Sequence, residues 1–229
     1  MKKGDLKKQE IIRTAETLFC RYGYENTSIQ DILDELNTSK GSFYHHFVSK
    51  ESLLEEICRS RAKGNAAGTA CRIMENADPL EKLNILFSDM IPFSGEKLSF
   101  LLMILPVFLM PEGISLRAFY ARELGEIYRE PVADTLLEGT REGAFSCREE
   151  EFFAEISLQI VNNLWMKICD LILHNEQEGR GTEATDLMNL VNQYRLALER
   201  VLGAPFGSIE LIRLPELKAL ADQIHQHWK

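Results

Sequence analysis

The sequence has few of the features that mark secreted, metal-binding or membrane-spanning proteins. Its five cysteines are an odd number and are spread along 229 residues without the close pairs of zinc or redox motifs. We therefore expect reduced core thiols, rather than a redox sensor, and no metal site. The longest apolar stretch, residues 98–110, is broken by Pro106 and is too short to cross a bilayer, and no apolar signal core follows the N-terminal lysines. These absences predict a soluble cytoplasmic protein with no membrane partner.

Alternating β-branched runs and a basic excess are also missing. Apolar residues recur instead with the 3.6-residue period of helices, which predicts an all-α fold. The net charge of −9 argues against indiscriminate binding to polyanions. Residues 1–63 carry eleven Lys and Arg against ten Asp and Glu, so the acidity lies in residues 64–229. The length of 229 residues suits one larger domain or a small domain plus a larger one, and we expect two domains.

Two helices are predicted before residue 37. The first spans residues 5–22, has an apolar face that includes Tyr22, and ends at Gly23, since glycine is common just beyond helix C-termini. The second begins at a capping box in which Thr27 is the cap and Gln30 reaches back to it. Both helices therefore have sequence signals for where they start or stop.

A short third helix follows after the link at residues 37–38. It covers residues 39–45, which is too short for stability alone, so we expect Phe43 and Phe47 to hold it by packing. Ser49 then caps a fourth helix, residues 49–73. A tight turn between two short helices, with a longer helix on each side, predicts a helix-turn-helix.

Small, basic and aromatic-polar side chains crowd residues 38–47 and suit a DNA groove. Gly41 costs about 1 kcal/mol of helix propensity relative to alanine, which makes sense where a backbone must approach a surface closely. Lys40 can reach a guanine edge, and Thr27 and Lys50 would lie at helix N-termini, which favour phosphate. Taken singly, each residue could equally be a cap or a solvated side chain. The predicted DNA-contacting set is Thr27, Thr38, Ser39, Lys40, Gly41, Ser42, Tyr44, His45, His46 and Lys50.

Two late helices, residues 147–174 and 183–202, carry more apolar surface than one chain's core needs. The first of them is predicted to start at a capping box of Ser146 and Glu149. A four-helix bundle across a two-fold axis would cover the excess, although both helices could also be simple core. The predicted homodimer interface is Phe153, Ile160, Leu164, Leu171, Leu187, Val191, Tyr194 and Leu198.

Aromatic and thioether side chains with few polar groups indicate a pocket for a largely apolar small-molecule effector, although the same spacing is also typical of core. Glu123 would favour a cationic ligand if it is buried among aromatic rings, and would be an ordinary solvated acid on the outer face. The predicted effector-binding set is Phe100, Met103, Phe108, Tyr120, Glu123, Tyr128, Asn162, Trp165 and Cys169.

Motifs of enzymes are missing from the sequence. No glycine-rich phosphate loop, nucleophile elbow, paired-histidine metal motif or Cys–His arrangement appears, so we expect no catalytic residues, no cofactor and no enzymatic activity. The competing function is a helix-turn-helix architectural or interaction protein without an effector. A cavity in the C-terminal domain would distinguish the two.

Two segments closely resemble the TetR family of bacterial transcriptional regulators: AETLFCRYGYENTSIQDI at residues 15–32 and SKGSFYHHFVSKESLL at residues 39–54. The resemblance implies a homodimer on a palindromic operator of double-stranded DNA, usually repressing transcription, with an effector cavity that acts through helix 4. By position it places Lys40 and Gly41 at bases, and Ser42 and Tyr44 at bases or adjacent backbone. The residues that it places at phosphates are Thr27, Ser39, His46 and Lys50. The expected domains are residues 1–50, a three-helix DNA-binding domain, and residues 51–229, a helical ligand-binding and dimerisation domain.

Overall fold

The computed structural model describes residues 3–74, 78–91, 96–109 and 113–227. Within these ranges the backbone forms ten α-helices, and no described residue lies in a strand, so the predicted all-α class is confirmed. The helices are α1 (Lys3–Tyr22), α2 (Ile29–Glu35), α3 (Lys40–Tyr44), α4 (Lys50–Met74), α5 (Pro79–Met90), α6 (Glu96–Leu109), α7 (Ile114–Glu142), α8 (Glu150–Gln177), α9 (Ala184–Leu202) and α10 (Leu214–His227).

The chain divides into two compact units. Unit 1 contains residues 1–61 and 99–120, and unit 2 contains residues 62–98 and 121–229. Most of α6 and the first turns of α7 therefore group with the N-terminal helices, and α4 contributes residues to both units. The functional division at residue 50 stays a prediction, since compactness and function need not share one boundary.

Glycines end two of the helices as the sequence predicts. Gly23 has φ +88° after α1 and Gly203 has φ +63° after α9, a conformation that costs glycine little. The predicted start of α8 is wrong: the helix begins at Glu150, and the backbone N–H of Ser146 donates to the Leu202 carbonyl oxygen at 2.9 Å. Ser146 is therefore tied to the end of α9 and cannot cap α8.

The core of unit 1 follows the apolar face of α1, with one exception. Tyr22, which the helical period places on the buried face, is 55% exposed. The chain turns at Gly23, and Tyr24 is buried in its place with its ring edge-on to Phe19, 5.1 Å between centroids. Tyr22 is therefore exposed because Tyr24, just beyond the helix, fills the space beside Phe19.

In unit 2, α8 packs against α9 and α5, and α10 packs against α9. Trp165, Ile168 and Ile172 of α8 are fully buried. By length and composition alone, the helix at residues 150–175 could cross a membrane. Within it, 44% of the 18-residue apolar stretch is buried inside the protein. A core helix of a soluble protein has the same length and composition, so this stretch is weak evidence for a membrane span.

Candidate nucleic-acid interface

The turn between α2 and α3 is built by local hydrogen bonds and one left-handed residue. Asn37 has φ +45°, which asparagine tolerates better than most residues, and the N–H of Thr38 donates to the Leu33 carbonyl oxygen at 3.0 Å. The Ser39 hydroxyl then accepts from the N–H of Ser42 at 3.3 Å and caps α3. The sequence predicts the helix start at Ser39 but not the left-handed conformation of Asn37.

The two sides of α3 differ sharply in exposure. Phe43 is completely buried, and its ring lies 5.7 Å from that of Phe47, so these two residues hold the five-residue helix as predicted. Tyr44 is 53% exposed. Lys40, Gly41 and His45 are also exposed, and Thr38, Ser42 and His46 are half-buried. The predicted contact residues of α3 therefore face away from the core of unit 1.

Gly41 has no structural need to be glycine within this chain. It has no left-handed φ, and a Cβ built at Gly41 would meet the Ser39 hydroxyl oxygen at 3.9 Å, an ordinary van der Waals distance. Alanine would favour the helix by about 1 kcal/mol. The chain gives up this stability on an exposed surface, as expected where another molecule approaches the backbone.

The predicted cap of α2 is wrong by one residue. Thr27 is 1% exposed, and its hydroxyl donates to the Gly23 carbonyl oxygen at 2.9 Å. Ser28 is the cap: its hydroxyl accepts from the N–H of Asp31 at 3.2 Å, and its own N–H donates to the Asp31 carboxylate at 2.7 Å. The Ser28 hydroxyl also donates to the Asp31 carboxylate at 2.7 Å, and this bond together with that from the Ser28 N–H holds the pKa of Asp31 below its usual value. Ser28, not Thr27, presents an exposed hydroxyl at this helix start.

Lys50 points into unit 1. Its ammonium group donates to the carbonyl oxygens of Tyr24 at 2.8 Å and Thr27 at 3.1 Å, and lies 4.1 Å from the centre of the Tyr24 ring. The Tyr24 hydroxyl has a raised pKa because of burial and, next, the negative charge of Glu51. The first turn of α4 is thereby fastened to the loop between α1 and α2. The phosphate contact predicted for Lys50 would compete with these bonds.

The adjacent His45 and His46 rings lie 4.9 Å apart, edge to face. Partial burial lowers the pKa of His46, and the nearby His45 and Lys8 lower it further. His46 therefore stays neutral to a lower pH than a free histidine. A phosphate beside it would act in the opposite direction and favour the charged, donating form.

The segment that contains α1, α2 and α3 is also similar in sequence to known regulatory proteins. Residues 11–57, which span α1, α2, α3 and the start of α4, match the family model described as bacterial regulatory proteins, tetR family. This N-terminal part of the chain is therefore similar to bacterial regulatory proteins of the tetR family. Over 82 residues the protein is 38% identical to the HTH-type transcriptional repressor KstR2 of Mycolicibacterium smegmatis. This aligned segment covers 35% of this chain and 40% of the relative. The match thus covers well under half the length of that curated relative.

Two solved structures share the fold of this chain over most of its length. A Saccharomonospora viridis protein in complex with choline has a TM-score of 0.58 and 23% identity, covering 85% of this chain and 96% of that one. RolR in complex with resorcinol has a TM-score of 0.59 and 16% identity, covering 96% and 95%. The helical C-terminal part is therefore the kind of domain that follows the helix-turn-helix in those proteins.

Both units contain residues of the predicted effector-binding set. Phe100, Met103, Phe108 and Tyr120 are buried in unit 1, where the Tyr120 ring lies about 6 Å from the rings of both phenylalanines. The other five belong to unit 2: Glu123, Tyr128, Asn162, Trp165 and Cys169.

Glu123 is 9% exposed, so the alternative of a solvated acid on the outer face is wrong. The Trp165 indole N–H donates to the Asn162 side-chain oxygen at 2.5 Å, and Asn162 lines a cleft of about 310 Å³ between α7 and α8. Effector contact by the set of nine residues stays a prediction.

The predicted dimer residues fall into two groups. Leu164, Leu187, Val191 and Leu198 are buried by the packing of unit 2 itself. The other four, Phe153, Ile160, Leu171 and Tyr194, are half-buried and keep some surface for a further contact. Phe152, which the sequence analysis left out of the interface, is 56% exposed beside Phe153. Adjacent phenylalanines at a helix start were the available signal, because only one of them can point into the core.

Proposed function

We propose that this chain is a homodimeric transcriptional repressor of the tetR family that leaves a palindromic operator when a small, largely apolar effector binds. The surface of α3 carries the proposal, because Lys40, Ser42 and Tyr44 project from a helix anchored by buried Phe43. In the major groove, lysine donates hydrogen bonds to guanine edges, and serine forms hydrogen bonds with either base type. Gly41 adds support, because no contact within the chain requires a residue without a side chain at this position.

Phosphate contacts would come from the ends of the reading element. Thr38, Ser39, His45 and His46 lie at or beside the two ends of α3 and have accessible surface. At the start of α2 we keep Thr27 within the contact region. Its hydroxyl is committed to Gly23, however, so the neighbouring Ser28 supplies the exposed oxygen. Such contacts position a protein on DNA, and base contacts give it specificity.

Dimerisation is part of the proposal, because a helix-turn-helix protein reads two half-sites about 34 Å apart with two copies of its reading helix. The available surface on α8 and α9 is formed by Phe152, Phe153, Ile160, Leu171 and Tyr194, which the single chain leaves partly uncovered. In the competing interpretation, these helices are core alone and the chain is monomeric. Sedimentation at micromolar concentration decides between them.

An effector is supported by solved proteins of the same fold, which hold choline and resorcinol, both small organic molecules. The proposed contacts are the nine residues of the predicted effector-binding set, eight of them buried. The alternative is an architectural or interaction protein that binds DNA without an effector. We propose a regulatory rather than an enzymatic role, in the cytoplasm where operators are accessible.

Selection from a randomised duplex library with the full chain tests the DNA-binding proposal. A palindromic consensus should emerge, and fluorescence anisotropy then measures affinity for the consensus and for a scrambled duplex. Lys40→Ala and Tyr44→Ala should each weaken consensus binding by about 5- to 150-fold, since a good base contact is worth about 1–3 kcal/mol. Lys63→Ala, which removes an exposed lysine from α4, is the matched control and should bind as the unmodified chain does.

Three outcomes of these experiments separate the alternatives. If no consensus emerges, or if both α3 variants bind it normally, the reading role of α3 is wrong. If binding is specific but no member of a diverse small-molecule set changes it, the architectural alternative holds. Loss of the folded dimer in either α3 variant would mean that the residue is structural.

A further inference from the structure

A cleft of about 430 Å³ lies within unit 2, and none of its lining residues belongs to the predicted effector-binding set. It is bounded by the end of α4, one face of α5 and the segment 210–216, which leads into α10. Its apolar side chains are Ile85, Ile91, Leu211 and Ile212. This volume is within the range of small-molecule sites, which begins at about 300 Å³.

Hydrogen bonds hold the outer wall of the cleft in place. The Asn84 side chain of α5 donates to the Ser208 carbonyl oxygen at 3.0 Å and accepts from the N–H of Glu210 at 2.9 Å. From the other side, the Glu199 carboxylate accepts from the N–H groups of Gly207 at 2.9 Å and Ile209 at 3.3 Å. The wall is therefore preorganised by side chains of two helices, and a ligand would not have to order it.

An ion pair between exposed Arg72 and buried Asp89 forms part of the lining of the cleft. The Asp89 side chain is 8% exposed, whereas that of its partner Arg72 is 50% exposed. The Asp89 carboxylate also accepts from the Thr69 hydroxyl at 2.6 Å, and the Tyr128 hydroxyl lies 3.3 Å from the Thr69 oxygen. Arg72 can be rehydrated if it leaves the pair, but Asp89 cannot remain buried without a positive partner.

The charges of the cleft decide which ligand it can accept. The lining residues include four carboxylates and two guanidinium groups: Glu81, Asp89, Glu210, Glu216, Arg72 and Arg213. An anion that captured Arg72 would take the guanidinium group away from Asp89 and would face an excess of negative charge. A cation would supply what Asp89 needs and release Arg72 to water.

We propose that this cleft binds a small organic cation with an apolar body, whose ammonium or guanidinium group takes the place of Arg72 on Asp89. The apolar body lies along Ile85, Leu211 and Ile212, and no covalent step is involved. The ligand's role as an effector rests on the proposed repressor function, but its binding does not. Because Asp89 also holds Thr69 of α4, occupancy would change the contacts of the helix that begins beside α3.

Isothermal titration of the full chain with three molecules of similar shape tests the inference. Phenethylamine is cationic, 2-phenylethanol is neutral and phenylacetate is anionic. Phenethylamine should bind at least about 10-fold more tightly than either analogue, a difference of about 1.4 kcal/mol. Equal binding of the three, or no heat from phenethylamine at millimolar concentration, overturns the proposal.

Variants of the ion pair give opposite expectations. Asp89→Asn should abolish the preference for the cation, whereas Arg72→Gln should strengthen phenethylamine binding by removing the competing guanidinium group. Glu155→Gln, in the separate cleft between α7 and α8, should change nothing. If Asp89→Asn fails to fold, Glu210→Gln, at an exposed residue, and Glu216→Gln, at a half-buried one, should each still reduce the preference. An unchanged preference in these variants, or weaker binding to Arg72→Gln, contradicts the proposal.

The DNA experiments separate this inference from the proposed function. With a selected duplex, phenethylamine should change the affinity of the unmodified chain but not that of Asp89→Asn. Specific DNA binding without cation binding refutes the cleft alone. Cation binding without a selected consensus refutes the proposed function but supports the proposal that the cleft binds a cation.

Discussion

Lys50 is the first residue of α4, and a substitution there tests whether its side chain binds DNA or stabilises unit 1. Its ammonium group donates to the carbonyl oxygens of Tyr24 and Thr27 and lies over the Tyr24 ring. The perturbation is Lys50→Met, which keeps most of the apolar stem and removes the charge. The matched control is Lys63→Met, which removes an exposed charge from the same helix.

The structure indicates a substantial loss of stability. Each hydrogen bond from a charged donor contributes about 1.5–3 kcal/mol, and the contact of a cation with an aromatic ring about 0.5–1 kcal/mol. Because Lys50 is only half-buried, we discount the sum to about 2–4 kcal/mol. For a chain of this size, that loss lowers Tm by about 5–15 °C.

Two measurements on the same variant separate the roles. Thermal unfolding of the full chain should show the fall in Tm for Lys50→Met and none for Lys63→Met. Anisotropy titrations over a range of salt should give an unchanged slope of log Kd against log salt, because no phosphate contact has been removed. If Tm stays within about 2 °C of the unmodified chain and the slope falls by about 0.9, Lys50 is a phosphate ligand and the positioning role is refuted.

Three further predictions concern the start of α2 and the surface of α3. Ser28→Ala removes the cap of α2 and should cost about 1 kcal/mol in thermal unfolding; an unchanged Tm would show that the capping box contributes nothing. Asp31 has a lowered pKa in the folded chain, so its stabilising bonds are present at neutral pH and are lost as pH falls below about 4. The difference in Tm between Asp31→Asn and the unmodified chain should therefore shrink on acidification, and a constant difference would contradict this. Gly41→Ala should leave Tm equal or slightly higher while weakening operator affinity by at least about 5-fold, and unchanged affinity would show that no close approach occurs there.

Helix starts are a place where local sequence signals can mislead by one residue. Thr27 and Ser28 are adjacent hydroxyl residues, and each has a residue three positions later that can complete a capping box. The choice between them depends on the turn at Gly23, which directs the Thr27 hydroxyl back to the Gly23 carbonyl oxygen. The same turn exposes Tyr22 and buries Tyr24. A periodic pattern cannot show where the chain goes after its helix ends.

Side chains that the sequence assigned to a dimer interface show a second difficulty. Apolar excess on α8 and α9 was visible in the sequence, but Leu164 and Leu198 are buried within the chain and Phe152 is exposed. An apolar residue can pack against its own chain or a second copy with the same hydrophobic gain. Only the packing of one helix on another decides which surface remains open.

The sequence by itself determined the all-α class, the glycine ends of α1 and α9, and the short helix α3 with Phe43 inside and Lys40 outside. These features follow from neighbours within a few residues, through capping, helical period and backbone conformation. Tertiary structure alone decided that Lys50 reaches back to Tyr24 and that Asp89 and Arg72 form part of the lining of a cleft. Those contacts join residues about one helix length or more apart, and they exist only because packing brings distant segments of the chain together.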